Sequence, residues 1–330
     1  MKLPVYTKGL FGVQKNIPLK KYTTFKIGGP AKYFFVAKNK ADLIKAIKVA
    51  KNLNPSPFPK GDRVKLPFFI LGGGSNLLVS DKGFNGLLIK TLNTKYKILN
   101  TKIMAEAGMM LSHLVDVTAN TGLTGLEWAV GIPGTVGGAI SGNAGAFGKS
   151  IADIIKEVEV FDTQTEKIKI FKKEDFKFGY RNSIFKENPH LIILSATLQL
   201  KRGRHPPATR KKKIKNKIRK NLEQRKKTQP LNFPSAGSVF KNPVAFSAGE
   251  LGEEDKSSSS RLAAARLIEE CGLKGKRVGN VKISEKHANF IVNLGQGKAE
   301  DVKKLINLAK KKVKNKFGIN LEEEIQFLGF

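Results

Sequence analysis

The sequence predicts an α+β protein built from two lobes, and three observations carry the prediction. Short β-prone runs outnumber helical patterns through the first part of the chain. Those runs do not alternate regularly with helices, as the strands of a parallel βαβ sheet would. The chain has 330 residues, a length at which roughly 75% of the unfolded surface is buried and a single core commonly gives way to two.

Taken in order, residues 22–37 read as a short β unit, Tyr-Thr-Thr-Phe-Lys-Ile-Gly-Gly followed by Ala-Lys-Tyr-Phe-Phe-Val-Ala. A helix follows, with Leu43, Ile44, Ile47 and Ala50 on its apolar face. Prolines and a glycine make 52–65 a surface loop. Pro67 to Leu71 is a buried strand that runs into Gly72-Gly73-Gly74-Ser75-Asn76, and Leu77 to Val79 resumes β character. Further strands are expected over 86–90, 96–99, 103–107, 155–162, 167–171 and 191–200. A helix spans 112–122, with Ser112 as its candidate N-cap. In the second lobe the spacing predicts a helix over 261–271 stopped by Gly272, and a strand over 288–292. An amphipathic helix from Ala299 to about Lys316 then buries Val302, Leu305, Ile306, Ala309 and Val313. A closing strand over 321–328 places Ile325 and Phe327 on one face and Glu322 and Glu324 on the other.

The domain organisation expected from this is an N-terminal extension (1–21), a first lobe (22–202), a basic connecting helix (203–229) and a second lobe (230–330). A serine-rich, acidic insertion at 247–260 is expected to be disordered.

Composition excludes several classes. One cysteine, Cys271, closes no intramolecular disulfide, and four scattered histidines show no metal-ligand spacing, so no metal is expected. The opening residues lack a signal-peptide core. Gly122 to Gly148 holds a single charge, Glu127, but nine of its 27 residues are glycine. A backbone so rich in turn positions would leave amides unsatisfied in lipid, so the segment is read as a loop inside protein. The expected compartment is the cytoplasm. Lys+Arg exceed Asp+Glu by 60 to 27, a net charge of +33, which raises nucleic-acid binding. The densest basic run, 201–227, has 14 Lys/Arg and one acid but no aromatic residue for base stacking. Ile214, Ile218 and Leu222 instead mark one face of a packed helix. No nucleic-acid or membrane partner is expected.

Three consecutive glycines after a buried strand free their amides from Cβ obstruction, and successive N–H groups form an anion-binding concavity. A second glycine array runs Gly131-Ile-Pro133-Gly134-Thr135-Val136-Gly137-Gly138 and on to Gly142-Asn143-Ala-Gly145. It matches neither GxGxxG nor GxxxxGK[ST]. Two such arrays on one lobe point to a long cofactor held along its length by main chain.

Five segments in order resemble the MurB family, the UDP-N-acetylenolpyruvoylglucosamine reductases of peptidoglycan synthesis, in the subgroup without a tyrosine-bearing lid loop. They are Leu71–Val79, Gly125–Gly138, Phe178-Gly-Tyr-Arg-Asn-Ser183, Pro234-Ser-Ala-Gly-Ser-Val-Phe-Lys-Asn-Pro243 and Ser284-Glu-Lys-His-Ala-Asn-Phe-Ile-Val-Asn293. The resemblance implies an FAD-binding lobe of the vanillyl-alcohol oxidase/PCMH-like type, followed by a smaller α+β substrate-binding lobe. It assigns FAD to residues 72–76 and to Gly131, Pro133, Gly134, Thr135, Val136, Gly137, Gly142, Asn143 and Gly145. NADPH reduces the flavin, hydride passes from N5 to C3 of the enolpyruvyl group of UDP-N-acetylglucosamine enolpyruvate, and C2 takes a proton to give UDP-N-acetylmuramate.

Carried over residue by residue, Ser238 matches the proton donor, Arg181 the carboxylate-binding arginine and Glu324 the C-terminal catalytic glutamate. Tyr180, Lys241 and Asn242 match substrate-binding positions. The chain is expected to be a monomer. Three rival readings remain at this point: an FAD-dependent alcohol or sugar oxidase of the same fold, a basic nucleic-acid-binding protein, and a homologue that holds FAD without turnover.

Overall fold

The computed structural model describes residues 12–52, 66–243 and 263–330, and the expected loop at 52–65 (past its first residue) and insertion at 247–260 lie outside them. The architecture is α+β, and the chain divides into two compact units. One comprises 1–17, 31–73 and 85–224; the other comprises 18–30, 74–84 and 225–330.

Among the described residues the first unit holds two large sheets and two two-stranded ones. In the four-stranded one the order is Gln14–Pro18, Pro30–Ala37, Phe84–Thr91, Phe68–Leu71, with the last pair parallel. In the five-stranded one it is Lys167–Lys172, Ile155–Asp162, Leu191–Gln199, Lys102–Glu106, Tyr96–Leu99, antiparallel throughout. The helix Lys40–Asn52 buries Leu43, Ala46, Ile47 and Ala50 in one core with Phe35, Leu87, Ile89, Phe161 and Leu194. A second core gathers the other apolar face of the large sheet with the helix Leu111–Thr121 and the short helix Val136–Ser141. Each fully buried Leu, Ile or Phe contributes about 1.5–3 kcal/mol relative to exposure, so these two cores fix the sheets.

Several expectations change in detail. Ser112 is not the N-cap of its helix: Met110 holds the extended cap position and no side chain caps there, so Ser112 sits inside the first turn. The glycine-rich 122–148 stretch is not all loop, since it folds Glu127–Ala129 and Val136–Ser141 into short helical turns. The basic helix is present as Pro207–Thr228, with Ile214 buried and Ile218 packed at the core's edge. Its Asn221 donates to the Glu127 carbonyl at 2.9 Å.

The second unit is a four-stranded sheet ordered Ser235–Ser238, Phe290–Asn293, Val281–Ile283, Arg277–Val278, covered by the helices Ala264–Glu270 and Ala299–Phe317. The long helix buries the five residues that its periodicity singles out. Asp81 accepts from its first amides, Ala299 at 2.9 Å and Glu300 at 3.2 Å, and Gly318 ends it at φ 71°. Phe25, Ile27 and Leu78 join this core from the N-terminal half of the chain. Only Gln326–Leu328 of the expected closing strand forms a strand, parallel to Leu77–Val79. Residues 22–29 are turn and irregular chain, and the strand begins at Pro30.

Candidate active site

In the first unit, Phe68–Leu71 delivers the chain into Gly72 and Gly73 with Leu71 opposite Lys90. A Cβ on Gly72 would stand 2.5 Å from Thr135 Oγ1, and one on Gly73 2.5 Å from Gly134 Cα. The two glycine arrays therefore meet main chain to main chain, which no other residue type permits. Thr135 caps Val136–Ser141 by accepting from Gly138 N at 3.4 Å. Neither the Gly73 nor the Gly134 amide has a hydrogen-bond partner among the described residues. The Lys90 ammonium donates to the Gly72 carbonyl, and burial holds its pKa below the ordinary lysine value. Unspent amides beside a half-buried cation are a donor set for diphosphate oxygens, so these residues fit a dinucleotide.

Tyr180 and Arg181 form the tip of a two-residue turn closed by Gly179 and Asn182. Arg181 adopts φ 55°, a left-handed conformation uncommon outside glycine. The turn is tied to the second glycine array: Asn143 Nδ2 donates to Gly179 O at 2.8 Å and Arg181 Nη1 to Gly145 O at 3.3 Å. The guanidinium lies 5.5 Å from the centre of the exposed Tyr180 ring. Among the expected site residues, Tyr180, Arg181, Asn143 and Gly145 are thus brought into one cluster. The motif around Gly125 is braced by Glu127, 3% exposed, which accepts from the Gly125 amide at 2.9 Å and from the Thr124 hydroxyl.

In the second unit, Gly74 turns with φ 64°, and its carbonyl accepts from Thr24 N at 3.0 Å. Ser238 ends the Ser235–Ser238 strand opposite Phe290, past a register shift at which Gly237 adopts φ 79°. The segment after it crosses the C-terminal one: Glu324 N donates to Val239 O at 2.8 Å and Lys241 N to Glu322 O at 2.9 Å. Ser238 and Glu324 are therefore brought to adjoining segments. The neighbouring acids are otherwise engaged, Glu322 with Lys241 at 3.0 Å and Glu323 with Lys310 at 2.9 Å. Asn242 Oδ1 accepts from Ala264 N at 3.1 Å and so helps to cap the following helix. The alternation expected over 321–328 fails because Phe327 is exposed while Ile325 is buried.

Sequence reasoning passed over Lys90 and Asn289. Lys90 is a lone cation closing the apolar run Leu87-Leu-Ile89, which is the signal that could have marked it. The motif 284–293 proves to be a set of braces. Ser284 Oγ accepts from Lys286 N at 3.1 Å, and Asn293 Nδ2 donates to Phe25 O at 3.0 Å. Asn289 bonds Phe240 through both ends of its carboxamide.

Comparison with known proteins places this geometry. Residues 31–170 match the FAD binding domain family, and residues 229–328 match the C-terminal domain of UDP-N-acetylenolpyruvoylglucosamine reductase. The UDP-N-acetylenolpyruvoylglucosamine reductase of Caldicellulosiruptor bescii is 43% identical across 100% of this chain and 95% of its own length. That of Caldicellulosiruptor saccharolyticus is 45% identical over 96% and 91%. The crystal structure of the enzyme from Thermus caldophilus superposes with a TM-score of 0.74 at 34% identity, covering 96% of this chain and 99% of that one.

Proposed function

The chain belongs to the UDP-N-acetylenolpyruvoylglucosamine reductase family, and on that premise we propose that it reduces UDP-N-acetylglucosamine enolpyruvate to UDP-N-acetylmuramate for peptidoglycan synthesis. It is a flavoenzyme with FAD as its cofactor. NADPH is the reductant. Bound FAD supplies the hydride that adds to C3 of the enolpyruvyl group.

The protein's own residues do the rest. The Gly72–Asn76 loop and the array from Gly131 to Gly145 would hold the cofactor, with main-chain amides as the donors available to a diphosphate. Arg181 grips the enolpyruvyl carboxylate through its planar fork and stabilises the charge that builds there as hydride arrives. The Ser238 hydroxyl delivers the proton to C2, which saturates the double bond, and Glu324 works beside it. Such general acid catalysis is worth about 10²–10⁴-fold. Lys241 and Asn242 meet the substrate's diphosphate end, and Tyr180 walls the site beside Arg181. The excess positive charge steers both anionic substrates inward.

The observation that supports this reading best is the crossing of 238–241 with 322–324, which sets a hydroxyl and a carboxylate on adjoining segments. The protein acts in the cytoplasm as a monomer; sedimentation velocity checks the latter. No helix among the described residues is long and apolar enough to cross a membrane.

The test is anaerobic spectroscopy of the purified protein. NADPH is expected to bleach the flavin bands, and the enolpyruvyl UDP-sugar to restore them. Bleaching without restoration would sink the substrate assignment while leaving the flavin.

A further inference from the structure

Main-chain polar groups buried away from water need partners, and the segment joining Ser238 to Lys241 allows a full count. Val239 N donates to Asn289 O at 2.8 Å, and Val239 O accepts from Glu324 N at 2.8 Å and from Ile325 N at 3.5 Å. Phe240 N donates to Asn289 Oδ1 at 2.9 Å, and Phe240 O accepts from Asn289 Nδ2 at 2.8 Å. Lys241 N donates to Glu322 O at 2.9 Å. One residue, Asn289, takes both groups of Phe240 with its side chain and the Val239 amide with its own carbonyl. It is 3% exposed, and Val239 and Phe240 are equally shielded.

A carboxamide has the shape of a peptide unit, with one acceptor and two donors. Asn289 therefore continues the sheet by one rung of side chain beyond the last regular pair, Ser238 with Phe290. That rung is needed because the register shift at Gly237 has just broken the ladder. Asp at 289 would present an acceptor to the Phe240 carbonyl. Ser or Ala would leave both Phe240 groups without their partner. Gln would be too long by one methylene.

We infer that Asn289 is the positioning residue of the proton-delivering pair, clamping Val239–Phe240 so that Ser238 on one side and Glu324 on the other are held at a fixed separation. This rests on the reading of Ser238 as proton donor. Asn289 touches neither reacting atom in that scheme; it acts through the main chain of the two residues that follow Ser238. Misplacement of a reacting group by about 1 Å costs on the order of 10²-fold.

The test separates the two half-reactions by anaerobic stopped flow. In Asn289→Asp, flavin reduction by NADPH should stay within about twofold of wild type, while reoxidation by the enolpyruvyl UDP-sugar should slow by about 10–100-fold. Asn289→Ser, which adds no charge, should do the same and serves if the first variant does not fold; flavin content and melting temperature accompany both. In a Ser238→Ala background, Asn289→Asp should slow reoxidation by less than about twofold further, because the residue acts through Ser238.

An undiminished effect in that background overturns the inference. So does equal loss in both half-reactions that tracks loss of flavin, which a merely structural residue would produce. A wild-type protein that the substrate does not reoxidise overturns the proposed function and this inference together. A wild type that is reoxidised, with Asn289→Asp unimpaired, overturns the inference alone.

Discussion

The Asn76 carboxamide donates to the carbonyl oxygen of Glu324 at 2.9 Å, and the Gln326 amide returns to the carbonyl of Asn76 at 2.9 Å. The last residue of the Gly-Gly-Gly-Ser-Asn loop is thereby stitched to the C-terminal glutamate, 248 residues later. Asn76 reads in the sequence as a cofactor contact, yet its side-chain nitrogen is spent on holding Glu324. Asn76→Ala should lower stability by about 1 kcal/mol, the net worth of one such bond. It should also slow flavin reoxidation more than flavin reduction. Thermal unfolding and stopped flow check the two halves.

Gly73 carries a sharper steric prediction. A Cβ there would meet Gly134 Cα at 2.5 Å, and backbone cannot swing aside as a flexible side chain can. Gly73→Ala should therefore push the two glycine arrays apart and weaken FAD binding by about 10²-fold, the scale of a 1 Å misplacement. The purified variant should be nearly colourless, and titration of its apoprotein with FAD by fluorescence quenching gives the number.

Arg181 offers a planar fork to a carboxylate, and lysine offers a point charge. Arg181→Lys should keep FAD and NADPH reduction but lower kcat/KM for the enolpyruvyl substrate by about 10²-fold, the loss expected for one oxyanion-type donor. Equal kinetics in the two proteins would remove Arg181 from the carboxylate site.

One acid carries a pH prediction for stability. Asp162 is 3% exposed and bonded to the Lys169 ammonium at 2.6 Å and to the amides of Gln164 and Thr165. The Lys169 bond above all holds its pKa well below the usual carboxylate range. A depressed carboxylate pKa stabilises the fold above the unfolded-state value, about 3.9, and that contribution is lost as pH falls toward the folded-state value. The melting temperature of wild type should exceed that of Asp162→Asn at pH 6, and the gap should narrow between about pH 4 and pH 2.

Much of the fold was legible because its signals are local. The five buried positions of the helix Ala299–Phe317 follow from i, i+3, i+4 spacing, and strands such as Ile155–Asp162 follow from apolar residues interleaved with charged ones. The misread elements depend on distant partners. Residues 321–328 alternate as a strand should, but 322–324 run beside the irregular edge at 239–241, and only 326–328 find a regular partner. Ser112 is a good capping residue placed two positions late, because the chain is still extended at Met110. The glycine arrays announced themselves by composition. Lys90 and Asn289 did not, since periodicity tells which face a residue occupies and not that Asn289 will bond a residue 49 positions away.

The central claim is that hydride reaches C3 and the Ser238 proton reaches C2. The most direct measurement is single-turnover reduction of the enolpyruvyl UDP-sugar in D2O, with the product read by NMR, in wild type and in Ser238→Ala. The account predicts one deuterium at C2 in wild type, with C3 labelled as well wherever the exchangeable N5–H of the reduced flavin has taken up solvent deuterium. In Ser238→Ala it predicts normal bleaching by NADPH but reoxidation slowed by about 10²–10⁴-fold. A product without solvent deuterium at C2, or a Ser238→Ala protein reoxidised as fast as wild type, would contradict it.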